Sequence, residues 1–86
     1  MKREQQNNTT INIEVDGFKG EAQWYPDNQA YYGRVINLED PAGIRLDEIS
    51  FQGVNAKALV LDLRQQIEFY QQVCTELGKL PVPPKI

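Results

Sequence analysis

The sequence predicts an α+β domain: a four-stranded antiparallel sheet in the order β-β-β-β-α, with one long helix packed on one face. Three observations predict it. Residues 55–78 (NAKALVLDLRQQIEFYQQVCTELG) are the one long stretch with helical periodicity. Residues 9–52 alternate apolar and polar side chains with period two, in short runs. Turn-forming groups, Asp16-Gly17 foremost, separate those runs.

Each element follows from its own residues. Residues 1–8 are polar and aperiodic, so they are expected to form a flexible tail, followed by a single domain over 9–80. From Thr9 to Val15, Ile11, Ile13 and Val15 face one way while Asn12 and Glu14 face the other. Asp16-Gly17 then suits a type I′ hairpin, whose two central residues both need positive φ. The returning strand, Phe18 to Tyr25, sets Phe18, Gly20, Ala22 and Trp24 on one face and Lys19, Glu21, Gln23 and Tyr25 on the other. Pro26-Asp27-Asn28-Gln29 is a turn by composition.

A third strand is expected from Ala30 to about Leu38. Its faces, Tyr31, Gly33, Val35 and Tyr32, Arg34, Ile36, Leu38, both carry apolar groups. That fits a central strand, or one whose outer face meets a partner. Gly33 within it implies close approach of something bulky, most simply an aromatic ring or the helix. Glu39 to Leu46 is a loop built on Pro41 and Gly43, and Asp47 to Gln52 a fourth strand with Ile49 and Phe51 inward. Gly53 breaks it. The helix follows, with Asn55 as N-cap, Gly78 as the C′ stop and Pro81 beyond. Leu59, Leu63, Ile67, Tyr70, Cys74 and Leu77 share a stripe under a quarter-turn wide, which Val60 widens. Residues 81–86, with three prolines, are expected to form an extended tail.

Bulk properties narrow the function. A single domain of 86 residues buries only roughly 60–65% of its unfolded surface, so its stability margin is thin. One Cys and no His exclude an intramolecular disulfide and the usual zinc spacings. Association with a partner, or with itself, is the remaining source of buried area. The net charge of −3 and pI of about 4.8 have the opposite sign from a protein that grips phosphate backbones unaided. They fit a protein-binding module with a basic partner, although mild acidity is ordinary among cytosolic proteins and that is the simpler reading. No run of 18 apolar residues exists, and MKREQQNN lacks the apolar centre of a signal peptide. The expected location is therefore the cytoplasm.

Catalytic, cofactor and metal sites find no support in the residues. Without His the commonest general base is missing. Cys74 sits on the buried stripe, where a thiol packs as a small hydrophobe. Glu39, Asp40, Asp47 and Glu48 flank a Pro-Gly loop and read as solvated turn residues before they read as a hard-cation site. The six glycines are isolated, so no phosphate loop is present. Tyr31, Tyr32 and Arg34, near Trp24 and Tyr25, could stack on single-stranded RNA, although packing is the simpler use of these aromatics. On the helix, Phe69 and Val73 lie beyond the stripe and Leu61 nearly opposite it. These three are the candidate self-association residues.

The order of short signals resembles one family. They are Phe18-Lys19-Gly20, Tyr32-Gly33-Arg34-Val35, a loop with Asp40, Ile49-Ser50-Phe51-Gln52-Gly53, Leu59, Tyr70-x3-Cys74-x3-Gly78 and Gly78-Lys79-Leu80-Pro81. Over about residues 18–81 the chain resembles the N-terminal domain of HicB-family antitoxins. The resemblance implies a partial RNase H-like fold without nuclease activity. It also implies a partner: a small basic HicA-type mRNA interferase, neutralised by covering its surface. Family members continue into a DNA-binding segment, whereas this chain ends at Ile86, so direct DNA binding is not expected here. The candidate partner-facing residues are Tyr25, Tyr32, Arg34, Glu39 and Asp40. The alternatives are a self-associating accessory domain without a toxin, using Leu61, Phe69 and Val73 in a dimer or higher oligomer, and a weak RNA-binding module.

Overall fold

The computed structural model describes residues 9–38 and 48–83. Within them the chain folds as an α+β unit: strands β1 (Thr10–Val15), β2 (Phe18–Tyr25), β3 (Ala30–Val35) and β4 (Ser50–Gly53), then helix α1 (Ala56–Glu76). The sheet is fully antiparallel in the order β1-β2-β3-β4, so β3 is central. The expected fold class is the one observed. No helix among the described residues is long and apolar enough to cross a membrane.

Local chemistry explains the elements. Asp16 and Gly17 take φ of 51° and 86°, the left-handed pair that a two-residue hairpin needs, and Val15 faces Phe18 across it. Pro26–Asn28 forms a single 3-10 turn that delivers the chain into β3. The Asn55 side chain accepts a hydrogen bond from the Ala58 amide at 2.8 Å, capping α1. At the other end Gly78 has φ of 73°. The Gly78 amide donates to the Thr75 carbonyl and the Lys79 amide to that of Cys74, a Schellman closure.

The core lies between α1 and one sheet face. Val15, Phe18, Ala22, Val35, Leu38, Ile49 and Phe51 meet Leu59, Leu63 and Ile67, all buried, with Ile11, Ile13, Tyr31, Val60 and Tyr70 packed against them. Two residues of the expected stripe behave differently. Tyr70 is half-buried and its hydroxyl accepts a hydrogen bond from the Val82 amide at 2.8 Å, so Val82 packs against the core. Leu77 is 72% exposed, because it is the C-cap and stands past the covered surface.

Three expectations about the strands are corrected. β3 ends at Val35 and the chain bends at Ile36, so Leu38 turns inward and is fully buried instead of facing out. Asn37 causes the change of phase. Its amide oxygen accepts from the Lys19 amide and its nitrogen donates to the Gly17 carbonyl, both at 2.9 Å. A side chain thus replaces the ladder there. β4 spans Ser50–Gly53, so Gly53 belongs to the strand, and the ladder reaches back to Ile49, whose carbonyl accepts from the Val35 amide. Asp47 lies outside the described residues. Finally, what approaches Gly33 is neither a ring nor the helix. A Cβ there would collide with the Glu21 carbonyl and lie 2.7 Å from both Ala22 Cα and Cβ, in the adjoining strand. The aromatic expected at a glycine is found instead at Gly20, where a Cβ would come within 2.6 Å of the Phe51 ring.

Candidate functional site: the open face of the sheet

Helix α1 covers one sheet face, and strand alternation sends every second side chain to the other. That outer face carries Asn12, Glu14, Lys19, Glu21, Gln23, Tyr25, Tyr32, Arg34, Ser50 and Gln52, all exposed. The register sets Glu14 opposite Lys19 and Glu21 opposite Arg34, unlike charges facing across neighbouring strands. Gln23 lies opposite Tyr32, and Tyr32 opposite Gln52.

Tyr25 and Tyr32 form the focus. Tyr25 is two positions along β2 from Gln23, so it sits diagonal to Tyr32. Their rings meet edge to face, with centroids 5.4 Å apart at 88°. The Asn28 amide nitrogen donates to the Tyr32 hydroxyl at 3.3 Å, tying the ring to the 3-10 turn. The pair remains accessible, Tyr25 at 48% and Tyr32 at 37%. Together with Glu21, Gln23, Gly33, Arg34, Glu48 and Ser50 they line a shallow concavity of about 380 Å³. Such a surface offers carboxylates and ring faces to an incoming Lys or Arg, and a guanidinium to an incoming carboxylate.

Of the sequence-predicted partner residues, the structure brings Tyr25, Tyr32 and Arg34 into this one concavity. Glu39 and Asp40 lie outside the described residues. Glu21 and Ser50 join the site and were not picked out from the sequence, and Glu48, weighed there only as a solvated turn residue or cation ligand, joins it too. Alternation had already put Glu21 on the face of Tyr25, but only the strand register shows which residues of other strands sit beside it. The Tyr31, Tyr32 and Arg34 set is divided: Tyr31 turns inward and packs edge to face on Trp24 at 4.9 Å, while the other two face out.

The candidate self-association residues also separate. Phe69 and Val73 line a second groove with Glu48, Ile49, Ser50, Gln66 and Tyr70, along the flank where α1 runs beside β4. Phe69 is 63% exposed there. Leu61, at 55%, stands eight residues earlier, about 12 Å along the axis and 80° round it. Cys74 is buried at 2%, its thiol turned into the fold. Among the described residues no three Cys, Asp or Glu side chains gather as a bound metal ion would require.

The fold and this face define a small α+β module whose antiparallel sheet, among the described residues, leaves one face exposed with a tyrosine pair on it. Comparison with protein-family models, with characterised proteins and with solved structures finds no match to the chain.

Proposed function

We infer that the chain is a non-catalytic protein-binding module, similar to HicB-family antitoxins, that neutralises a small basic HicA-type mRNA interferase by covering its surface. The observation that carries this reading is the sheet face that no described residue covers. Tyr25 and Tyr32 stand side by side where β2 ends and β3 begins, with Glu21 and Glu48 lining the same concavity. Exposed tyrosines on a rigid strand give large contact area at little entropic cost, and the carboxylates suit a basic partner. The acidic balance of the whole chain favours encounter with such a partner.

The test is co-expression with a small basic toxin encoded beside it. The reading expects restored growth and a co-purifying complex. Purified protein that binds no such toxin and restores nothing removes it. A second reading, a self-associating accessory domain without a toxin, is favoured by the exposure of Phe69 beside Val73 and the β4 edge. Its signature is an oligomer that Phe69→Asp disperses without unfolding the chain.

A further inference from the structure

The two edges of the sheet are finished differently. At β4 the edge is short, and α1 covers part of it: the Asp62 carboxylate accepts a hydrogen bond from the outward Gln52 amide at 2.8 Å. A charge placed on an edge amide blocks pairing with another strand. At the opposite edge, β1 is six residues long, TINIEV, with no proline, glycine or lysine. Its backbone phase is fixed. The Thr9 carbonyl bonds to the Trp24 amide, and Val15 faces Phe18 across the hairpin, so the odd-numbered residues bond to β2. The amides and carbonyls of Thr10, Asn12 and Glu14 therefore point away from the sheet. Among the described residues, no hydrogen bond reaches them.

We propose that this edge pairs with β1 of a second copy, antiparallel about a two-fold axis at Asn12, joining two four-stranded sheets into one of eight strands. The sequence is self-complementary in this register. Only even-numbered residues present outward backbone groups, so even must face even. Centring on Asn12 uses all three outward residues, Thr10 facing Glu14 of the second copy, Asn12 facing Asn12 and Glu14 facing Thr10, for six backbone hydrogen bonds. On the outer face no like charges meet, whereas centring on Glu14 would set carboxylate against carboxylate. On the inner face Ile11 faces Ile13 of the second copy in the closer, non-hydrogen-bonded position, which buries two half-exposed isoleucines from each chain. The symmetry is closed and isologous, so the assembly stops at a dimer. It keeps both helices on one side and merges the two outer faces, each with its Tyr25–Tyr32 pair, into one continuous surface. The pairing is independent of what that surface binds.

Substitutions at Thr10 test the register, because this side chain is exposed and lies opposite Glu14 of the second copy. Sedimentation and light scattering on the full chain are expected to show a concentration-dependent dimer. Thr10→Glu creates two facing carboxylate pairs and is expected to weaken it about 2- to 30-fold, while Thr10→Lys tightens it by a similar factor at low salt. Asn12→Cys is expected to give a disulfide-linked dimer under mild oxidation. Hydrogen-bonded antiparallel partners hold their Cα atoms about 5.5 Å apart, within disulfide range, and Cys74 is buried and cannot compete. A chain that stays monomeric at millimolar concentration overturns the proposal and leaves the edge to a different protein or to none. So does a dimer that is indifferent to Thr10 charge, uncrosslinked through Asn12→Cys and dispersed by Phe69→Asp.

Discussion

Gly33→Ala is the substitution whose outcome depends most sharply on the observed packing. In a strand interior this change is ordinarily favourable, since the glycine-containing unfolded chain has more freedom to lose; the gain is about 0.4–1 kcal/mol. Here the added methyl would collide with the Glu21 carbonyl and stand 2.7 Å from Ala22 Cα and Cβ. Those atoms are backbone and a Cβ, so no rotamer change clears them. β3 is bonded on both sides, to β2 and to β4, so moving it disturbs two ladders. Overpacking of this kind costs about 1–3 kcal/mol, and a backbone clash belongs in the upper half of that range. The balance is a net loss of about 1–2.6 kcal/mol. A domain of this size has a total stability of roughly 4–13 kcal/mol. With a urea m-value of about 1 kcal/mol/M, the unfolding midpoint should fall by about 1–2.6 M at unchanged m. A Gly33→Ala protein as stable as the wild type, or more so, refutes the close approach of β2 and β3 at this point.

Other predictions follow from the helix. Leu63→Ala, at a fully buried position, should cost about 3–5 kcal/mol, whereas Leu77→Lys, at 72% exposure, should change stability by less than about 0.5 kcal/mol; equal effects in parallel urea melts would contradict the placement of the C-cap. Asn55→Ala removes the bond to the Ala58 amide and should lower stability by about 1 kcal/mol, with Asn55→Asp largely restoring it. Cys74, at 2% exposure, should react with a thiol reagent about a hundredfold more slowly in the native chain than in urea, because modification requires the helix to open. Fast native labelling would place the thiol on the surface.

Much of the fold was legible because a half-buried sheet and a helix on top of it write their periods directly into the sequence. Ile11, Ile13 and Val15, or Leu59, Leu63 and Ile67, each mark a face without help from distant residues. Asp16-Gly17, Asn55 and Gly78 were legible for the same reason, since turns and caps are local chemistry. Leu77, exposed at the C-cap, was misread locally, but the misreadings that matter most are long-range. Asn37 ends β3 through bonds to residues 18 and 20 positions away, and that shift of phase is what buries Leu38. The clash at Gly33 comes from a neighbouring strand, which alternation along β3 alone does not reveal. The candidate site divides likewise. Alternation placed Tyr25 on one face and Tyr32 and Arg34 on another strand's face. Only the register brings them together with Glu21, Glu48 and Ser50.

The central claim is that the uncovered face of the sheet, and not the helix flank, holds the partner. Growth rescue in cells expressing a small basic HicA-type toxin can be compared for wild type, Tyr25→Ala/Tyr32→Ala and Phe69→Asp, each verified as folded by circular dichroism. The account predicts that the double tyrosine variant loses rescue while Phe69→Asp retains it. Rescue that survives loss of both tyrosines, or that disappears with Phe69→Asp alone, contradicts it.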